Sequence, residues 1–497
     1  MDSLERFAAS YIDGEFGGGG PALTLVNPSD GAPVHELRTA DADDVDAAVR
    51  AAATSQLAWM RRTPAERAAA LHRWADLILE HADELARLDV LSVGRALRDA
   101  RPEARMIAAV PRYWAGMTDK ILGQQIPAVN GHLSFVTREP LGVIGIILPW
   151  NGPLGAFVEK VSVAIACGNS VVVKPSEYSP LSALRLAELA VQSGMPRGLI
   201  SVLVGGGDVG GLVANHAEIM GITFTGSVAT GRRIAHAAAD RFARTTLELG
   251  GKSANVVFAD ADLDAAVRGT TWGVFYNAGQ VCCSGTRLLV HEDIQDVFVA
   301  ELLARMSRVR VGDPLDESNH IGPVVSARQF AQITGLLERA EGDGATIVRS
   351  ASNGSGRTPS GYYCDPTVVL DADTSSEVAQ REIFGPVLTV IPFRTEQDAL
   401  EIANGVEYGL AAKVWTRDLG RMLRMAHQLE AGSIWGNTAQ VASPALPFGG
   451  FKASGSGTSS GQIAVDGVTR AKAVSLRYAE DAPTPGWDDI IDTNHDL

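Results

Sequence analysis

Two patterns of apolar spacing divide the chain. Residues 41–100 are rich in Ala and Leu at helical intervals. Asp41 or Asp43 is placed to cap the first helix, and Thr63-Pro64-Ala65-Glu66 opens a second in the manner of a capping box. From Gly142 the pattern changes to short apolar runs alternating with helices. Val143 to Leu148 is a continuous apolar run, as in a strand buried on both faces. Ser170 to Val173, Leu199 to Val204 and Ile219 to Phe224 continue the series, with helices expected at Leu154 to Cys167 and Leu181 to Gln192. Repeated strand–turn–helix units with glycine at the strand ends predict an α/β fold built on a doubly wound parallel sheet. Such sheets bind ligands outside the carboxyl ends of their strands.

A second α/β region is expected from about Asn255 to Lys452. Its strands fall near Thr286 to His291 and Val387 to Pro392, its helices near Gln295 to Val309 and Ala327 to Glu341. Residues 11–35 alternate like strands. Lys120 to Arg138 and Thr469 to Arg477 also alternate, as strands with one open face do, and an open edge is often covered by another chain. The Ser/Gly-rich loop Ser350 to Gly361 is expected to be exposed.

Composition narrows the class further. The 497 residues allow two or three domains, and 46% hydrophobic with 20% charged residues is ordinary for a soluble globular protein. A net charge of −15 makes the chain a poor polyanion binder, so nucleic acid is not expected as a partner. Part of that charge lies from Glu480 onward (Glu480, Asp481, Asp488, Asp489, Asp492, Asp496), with no Lys or Arg. The stretch 481–497 reads as a solvated acidic tail, with a subunit contact through Trp487 as the sharper alternative. The longest apolar stretch, Leu141 to Trp150, is far shorter than the ~18–20 residues of a membrane span. The first ten residues have no apolar signal region, so a cytoplasmic protein without a membrane partner is expected. Only Cys167, Cys282, Cys283 and Cys364 are available for thiol chemistry, too few for a disulfide scaffold.

Chemistry-bearing residues collect at the predicted strand ends. Pro149-Trp150-Asn151 supplies an amide that can donate to a developing oxyanion. Lys174-Pro175-Ser176-Glu177 supplies a carboxylate able to accept from a ribose diol and to repel a 2'-phosphate. Thr223-Phe224-Thr225-Gly226-Ser227 sits at a strand-to-helix junction, where free N–H groups and the helix dipole favour an anion. Glu248-Leu249-Gly250-Gly251-Lys252 sets an acid against two glycines, and Gly279-Gln280-Val281-Cys282-Cys283-Ser284-Gly285 displays a thiol pair in a Gly-flanked loop. Glu382-Ile383-Phe384-Gly385-Pro386 and Pro447-Phe448-Gly449-Gly450-Phe451-Lys452 complete the set. Singly, each has a bland explanation as a turn, a surface ion pair or a buried thiol. Together they make a thiol, an acid, an amide donor and a dinucleotide cradle.

With these ordered strings, and the 34-position interval from Glu248 to Cys282, the chain resembles the NAD(P)-dependent aldehyde dehydrogenase superfamily over nearly its whole length. The resemblance implies a Rossmann-like nucleotide-binding domain (1–119 and 140–249), an α/β catalytic domain (250–452) and a small β oligomerisation region (120–139 and 453–480). It implies oxidation of a small-molecule aldehyde to the carboxylic acid, with NAD as cofactor and NADP as the alternative, and no metal. Cys282 matches the nucleophile, Asn151 with the Cys282 N–H the oxyanion donors, and Glu248 the base that activates water against the thioester. Lys160 joins these catalytic residues, and Cys283 is a bystander. The cofactor residues implied are Trp150, Lys174, Ser176, Glu177, Gly226, Ser227, Leu249, Glu382 and Phe384. Lys174 and Glu177 would hold the adenosine ribose, and Glu382 the nicotinamide ribose. A homodimer or homotetramer is expected.

Two departures bear on substrate and mechanism. Gly152 stands where many relatives carry an aromatic residue, Glu159 precedes Lys160 where relatives often have a bulky group, and the loop from Asn437 to Leu446 lacks aromatics. These predict a roomier, more polar tunnel for a bulky or functionalised aldehyde. Ser459 stands where many relatives carry a glutamate that helps relay the base's proton. The relay must then use water, Ser459 or Glu159, or deacylation is slow. Two competing readings are a coenzyme A-acylating enzyme, whose members generally lack the glutamate base, and a non-catalytic crystallin-like protein, against which Cys282, Glu248 and Asn151 stand intact.

Overall fold

The computed structural model describes residues 4–351 and 353–480; the acidic tail and Trp487 lie outside the described residues. Five parallel strands form the centre of the first sheet: β1 (Val143–Ile147), β2 (Ser170–Lys174), β3 (Ile200–Val202), β4 (Ile219–Thr225) and β5 (Arg244–Glu248). They lie in the order β3-β2-β1-β4-β5. Helices α1 (Pro153–Ala166), α2 (Pro180–Gln192), α3 (Gly207–Asn215) and α4 (Val228–Ala239) make the crossovers. All five residues of β1 and of β2 are buried, which is why these strands read as unbroken apolar runs. The order reverses between β1 and β4, and a crevice opens at the carboxyl ends on either side of that switch.

The amino-terminal helices cover one face of this sheet. Asp41 is the cap of Ala42–Met60, bonding reciprocally with Asp44, and Thr63 does the same with Glu66 for Pro64–Glu80. The indoles of these helices reach carbonyls of the crossover helices: Trp59 Nε1 donates to Ile165 O at 2.9 Å and Trp74 Nε1 to Leu186 O at 3.1 Å. Such bonds fix the helix layer while the rings fill its core, since a buried indole N–H needs an acceptor.

The second sheet has seven strands, in the order Thr346–Arg349, Thr367–Leu370, Val387–Phe393, Arg287–His291, Ala254–Val257, Ala411–Trp415 and Ser433–Gly436. Only the first is antiparallel to its neighbour. A third, antiparallel sheet joins Thr469–Arg477, His132–Pro140 and Gln124–Ile126. It brings together the two open-faced segments of the sequence, which pair along nine positions. Leu133, Leu476 and Ile126 stay exposed there.

The segment from 453 divides. Gly455–Ser456 pairs antiparallel with Leu247 and Glu248 at the end of β5, and Ala464, Val465 and Val468 pack into the helix-side core. Only the residues from Thr469 onward join the third sheet.

Candidate active site

A cleft of about 660 Å³ runs along the switch point. Its lining takes Trp150 and Asn151 from the end of β1, Lys174, Ser176 and Glu177 from the end of β2, and Gly226 and Ser227 from the end of β4. Leu249 and Gly250 follow β5, and Cys282, Glu382 and Phe384 come from the second sheet's loops. Every expected cofactor residue therefore lies on one wall or the other.

The glycines of Glu248-Leu249-Gly250-Gly251 explain how the two halves approach. A Cβ on Gly250 would stand 2.3 Å from Glu382 Oε2, and one on Gly251 would stand 2.6 Å from Cys282 O. Glu382 Oε1 accepts from the Gly251 N–H at 3.1 Å. Burial pushes the Glu382 carboxyl up to about 7, against the pull of that N–H and of Lys252.

The cysteine loop is braced from several sides. Asn277 and Ala278 take left-handed backbone, each with φ of 52°, and Gly279 follows at 72°. At Gly279 a Cβ would meet Gly385 O at 2.0 Å, so neither its φ nor its space admits a side chain. Gln280 holds the turn through Nε2 to Asn277 O (3.1 Å) and by accepting from the Val325 N–H (2.9 Å). Asn151 Nδ2 donates to Gln280 O at 2.9 Å, and Asn277 Nδ2 donates to Asn151 O at 2.9 Å. One N–H of the Asn151 amide is thus spent on positioning, and its second remains for a ligand oxygen. Among the described residues no acceptor takes the Cys282 N–H.

Cys282 is half-buried and Cys283 buried. Contact with the Cys283 sulfur, and then burial, hold the Cys282 thiol well above its ordinary value, and the Glu382 and Glu248 carboxylates add to this. Cys283 moves the other way, lowered by the Cys282 hydrogen bond with a smaller pull from the Lys413 ammonium, against burial. These surroundings disfavour the Cys282 thiolate, because its sulfur partner is another thiol and the carboxylates nearest it carry negative charge.

Glu248 ends β5 and is 4% exposed. Its Oε1 accepts from the Ser459 N–H at 3.1 Å, while Oε2 is buried without a partner. Burial lifts its pKa to about 7, with Lys160 pulling down and Glu159 pushing up. A carboxyl that titrates near neutrality suits a general base at that pH. Lys160 is buried, and its Nζ donates to Ser459 Oγ at 3.1 Å.

On the nucleotide side, Lys174 is buried and donates to Gly205 O (3.3 Å) and Gly206 O (3.4 Å). Burial lowers its pKa, with Glu177 and Asp208 opposing. Ser176 Oγ donates to Glu177 Oε2 at 3.1 Å. Ser227 caps α4, and its hydroxyl bonds Thr230 Oγ1 at 3.1 Å, so the anion donors here are the first-turn N–H groups rather than this hydroxyl. Phe384, with φ of 57°, meets Trp150 edge to face at 5.2 Å between ring centres.

Glu159 does not line this cleft; it is half-buried beside a smaller polar cavity, where Ser460 Oγ donates to its Oε1 at 2.7 Å. Gln329 escaped the sequence reading: its Nε2 donates to Ile383 O (3.1 Å) and Phe384 O (2.9 Å), fixing the strained turn against the cleft. Its only signal was the capping residue Ser326 three positions before it.

The profile of the aldehyde dehydrogenase family matches residues 18–474. The chain belongs to that family. The putative aldehyde dehydrogenase DhaS of Bacillus subtilis is 40% identical over 93% of this chain and 94% of its own. The hydroxyisobutyraldehyde dehydrogenase of Mycolicibacterium austroafricanum is 40% identical over 96% and 95%. Among solved structures, PnpE from Pseudomonas sp. WBC-3 superposes with a TM-score of 0.94 at 40% identity, covering 97% of this chain and 99% of that one. PnpE has also been solved in complex with nicotinamide adenine dinucleotide. This aldehyde dehydrogenase family member is thus an oxidoreductase that converts aldehydes to acids. Among its described residues no helix is long and apolar enough to cross a membrane.

Proposed function

We propose that the chain oxidises an aldehyde with NAD through covalent catalysis at Cys282, and that Glu248 then drives hydrolysis. The observation that carries this reading is the meeting of a half-buried thiol and the Asn151 amide on the wall of one dinucleotide-sized cleft, with a buried carboxyl poised near neutrality one residue before the lining Leu249. The cradle fits a dinucleotide. Gly207 and Gly211 present backbone with open space at their Cβ positions, α4 offers its amino terminus, and Glu177 faces the place of an adenosine ribose. Bound NAD supplies the hydride acceptor. Lys174 and Glu177 would hold the adenosine ribose, Glu382 the nicotinamide ribose, and Trp150, Leu249 and Phe384 would enclose the rings.

Cys282 adds to the aldehyde carbon as thiolate and forms a thiohemiacetal. The free N–H of Asn151 and the N–H of Cys282 hold its oxyanion, a pair typically worth about 10²–10³ in rate per donor. Loss of hydride leaves a thioester on Cys282. Glu248 takes a proton from water, the resulting hydroxide adds to the carbonyl carbon, and the C–S electron pair returns to Cys282.

Residues 1–119 and 140–249 act as the nucleotide-binding domain, 250–452 as the catalytic domain, and 120–139 with the part of 453–480 from Thr469 onward as the assembly region. The free edge of Thr469–Arg477 and the exposed Leu133, Leu476 and Ile126 support pairing with a second copy in a cytoplasmic dimer or tetramer. The open space at Gly152 supports a bulky aldehyde. A panel of aldehydes of graded size with NAD and NADP tests the reading. NADH formation that rises with aldehyde bulk is expected; a preference for acetaldehyde contradicts the size assignment, and failure with all aldehydes contradicts the activity.

A further inference from the structure

Beside Ser459, whose N–H donates to Glu248, lies a second cavity of about 20 Å³. That is room for one water, which a polar site with two or more partners retains. Thr223 and Thr246 of the sheet line it, with Glu159 and Lys160 of α1 and Thr458, Ser459 and Ser460 of the closing segment. Ser459 joins it to the base, because its N–H donates to Glu248 Oε1 and its Oγ accepts from Lys160. Ser460 joins it to Glu159 at 2.7 Å, from a left-handed backbone with φ of 60° that its neighbours must hold in place.

Glu248 must lose one proton per turnover, and its surroundings do not give it direct access to solvent. The hydroxyls lining the cavity can pass a proton but not keep it, and the Lys160 ammonium has no lone pair to receive one. Lys160 and Glu159 are the charged residues lining the cavity, so its one basic group is the Glu159 carboxylate, which is also half-exposed. Ser459, bonded to Glu248, and Ser460, bonded to Glu159, are adjacent in the chain and both line the cavity, which links the two carboxylates through neighbouring residues.

We infer that Glu159 is the proton exit of this enzyme, receiving the proton of Glu248 through a cavity water with Ser459 and Ser460 and releasing it to solvent. This rests on the proposed role of Glu248. In each cycle water gives one proton to Glu248 and its oxygen to the acyl carbon, Cys282 leaves as thiolate, and the proton on Glu248 passes to Glu159 and then to bulk water. Glu159 touches neither substrate nor cofactor and acts through Glu248.

The test compares Glu159→Gln and Glu159→Asp with the parent, using its best aldehyde and NAD. The Gln variant is expected to keep its first-turnover burst of NADH and its KM for NAD, while steady turnover falls roughly tenfold. Added imidazole, a diffusible proton carrier, should restore turnover saturably, and Glu159→Asp should keep most of it. Full turnover in Glu159→Gln with an unchanged pH profile overturns the inference. So does a loss that imidazole fails to restore while the thermal midpoint is unchanged. A parent enzyme in which Glu248→Gln also turns over normally would instead overturn the role of Glu248.

Discussion

The cleft in front of the Gly250-Gly251 pair and the cavity behind Glu248 are built by different rules. In front, most contacts are made by residues in compact motifs: glycines that let Glu382 and Cys282 O approach, an amide that holds the turn, a helix terminus that opens on the cleft. Behind, the contacts join residues about 300 positions apart, Lys160 to Ser459 and Glu159 to Ser460, and Ser459 falls where the family pattern is broken. The front therefore fixes which reaction the enzyme performs. The back sets how this particular chain sheds the proton that the reaction leaves behind.

The sharpest way to break the front is to remove its nucleophile. Cys282→Ala should abolish steady NADH formation, by about 10⁴-fold or more as in other covalent catalysts, while NAD binding measured by calorimetry persists. Retained activity would shift the chemistry to another group. Asn151→Ala should lower kcat by about 10²–10³, with a small change in the affinity for NAD. Since Asn151 also braces Gln280, a parallel drop in Cys282 alkylation would show how much of the loss is positional.

A smaller effect separates the two ends of the cleft. Glu177→Ala should raise kcat/KM with NADP relative to NAD by about tenfold, or ~1.4 kcal/mol, and leave the deacylation rate unchanged. An unchanged cofactor ratio would show that this carboxylate does not face the 2'-position.

The smallest effect lies at the boundary between front and back. The Glu248 pKa is raised from 4.5 to about 7 mainly by burial. Below 4.5 the group is neutral folded and unfolded, so it then costs folding nothing through its charge. As pH rises through 7 the folded chain carries a buried carboxylate, and that stabilising preference for the neutral form is lost. Glu248→Gln should thus raise the thermal midpoint relative to the parent by about 2 °C at pH 8 and by less at pH 5. Equal shifts at both pH values would mean that the carboxylate is better compensated than its partnerless Oε2 suggests.

The same contrast explains what could be read from the sequence. The strand–turn–helix alternation placed β1 to β4 and their carboxyl ends, because strands buried on both faces leave unbroken apolar runs. The ordered motifs then named the cleft's lining. The contact of Glu159 with Ser460 was not legible, because helical spacing gives a residue's face but not what packs against it, and Ser460 enters from the far end of the chain. The upward push on Cys282 was missed because it comes from the Cys283 sulfur and from carboxylates that only the fold brings near. Gln329 was missed because its acceptors are backbone carbonyls in another loop, which no side-chain pattern records.

The division of labour between Cys282 and Glu248 is tested most directly by rapid mixing of Glu248→Gln with NAD and its best aldehyde at pH 8.5, followed by peptide mass analysis. The account predicts one NADH per active site in a burst, a steady rate lower by about 10²–10⁴, and an acyl group trapped on Cys282. Steady turnover at the parent rate, or an acyl group on any other residue, would contradict it.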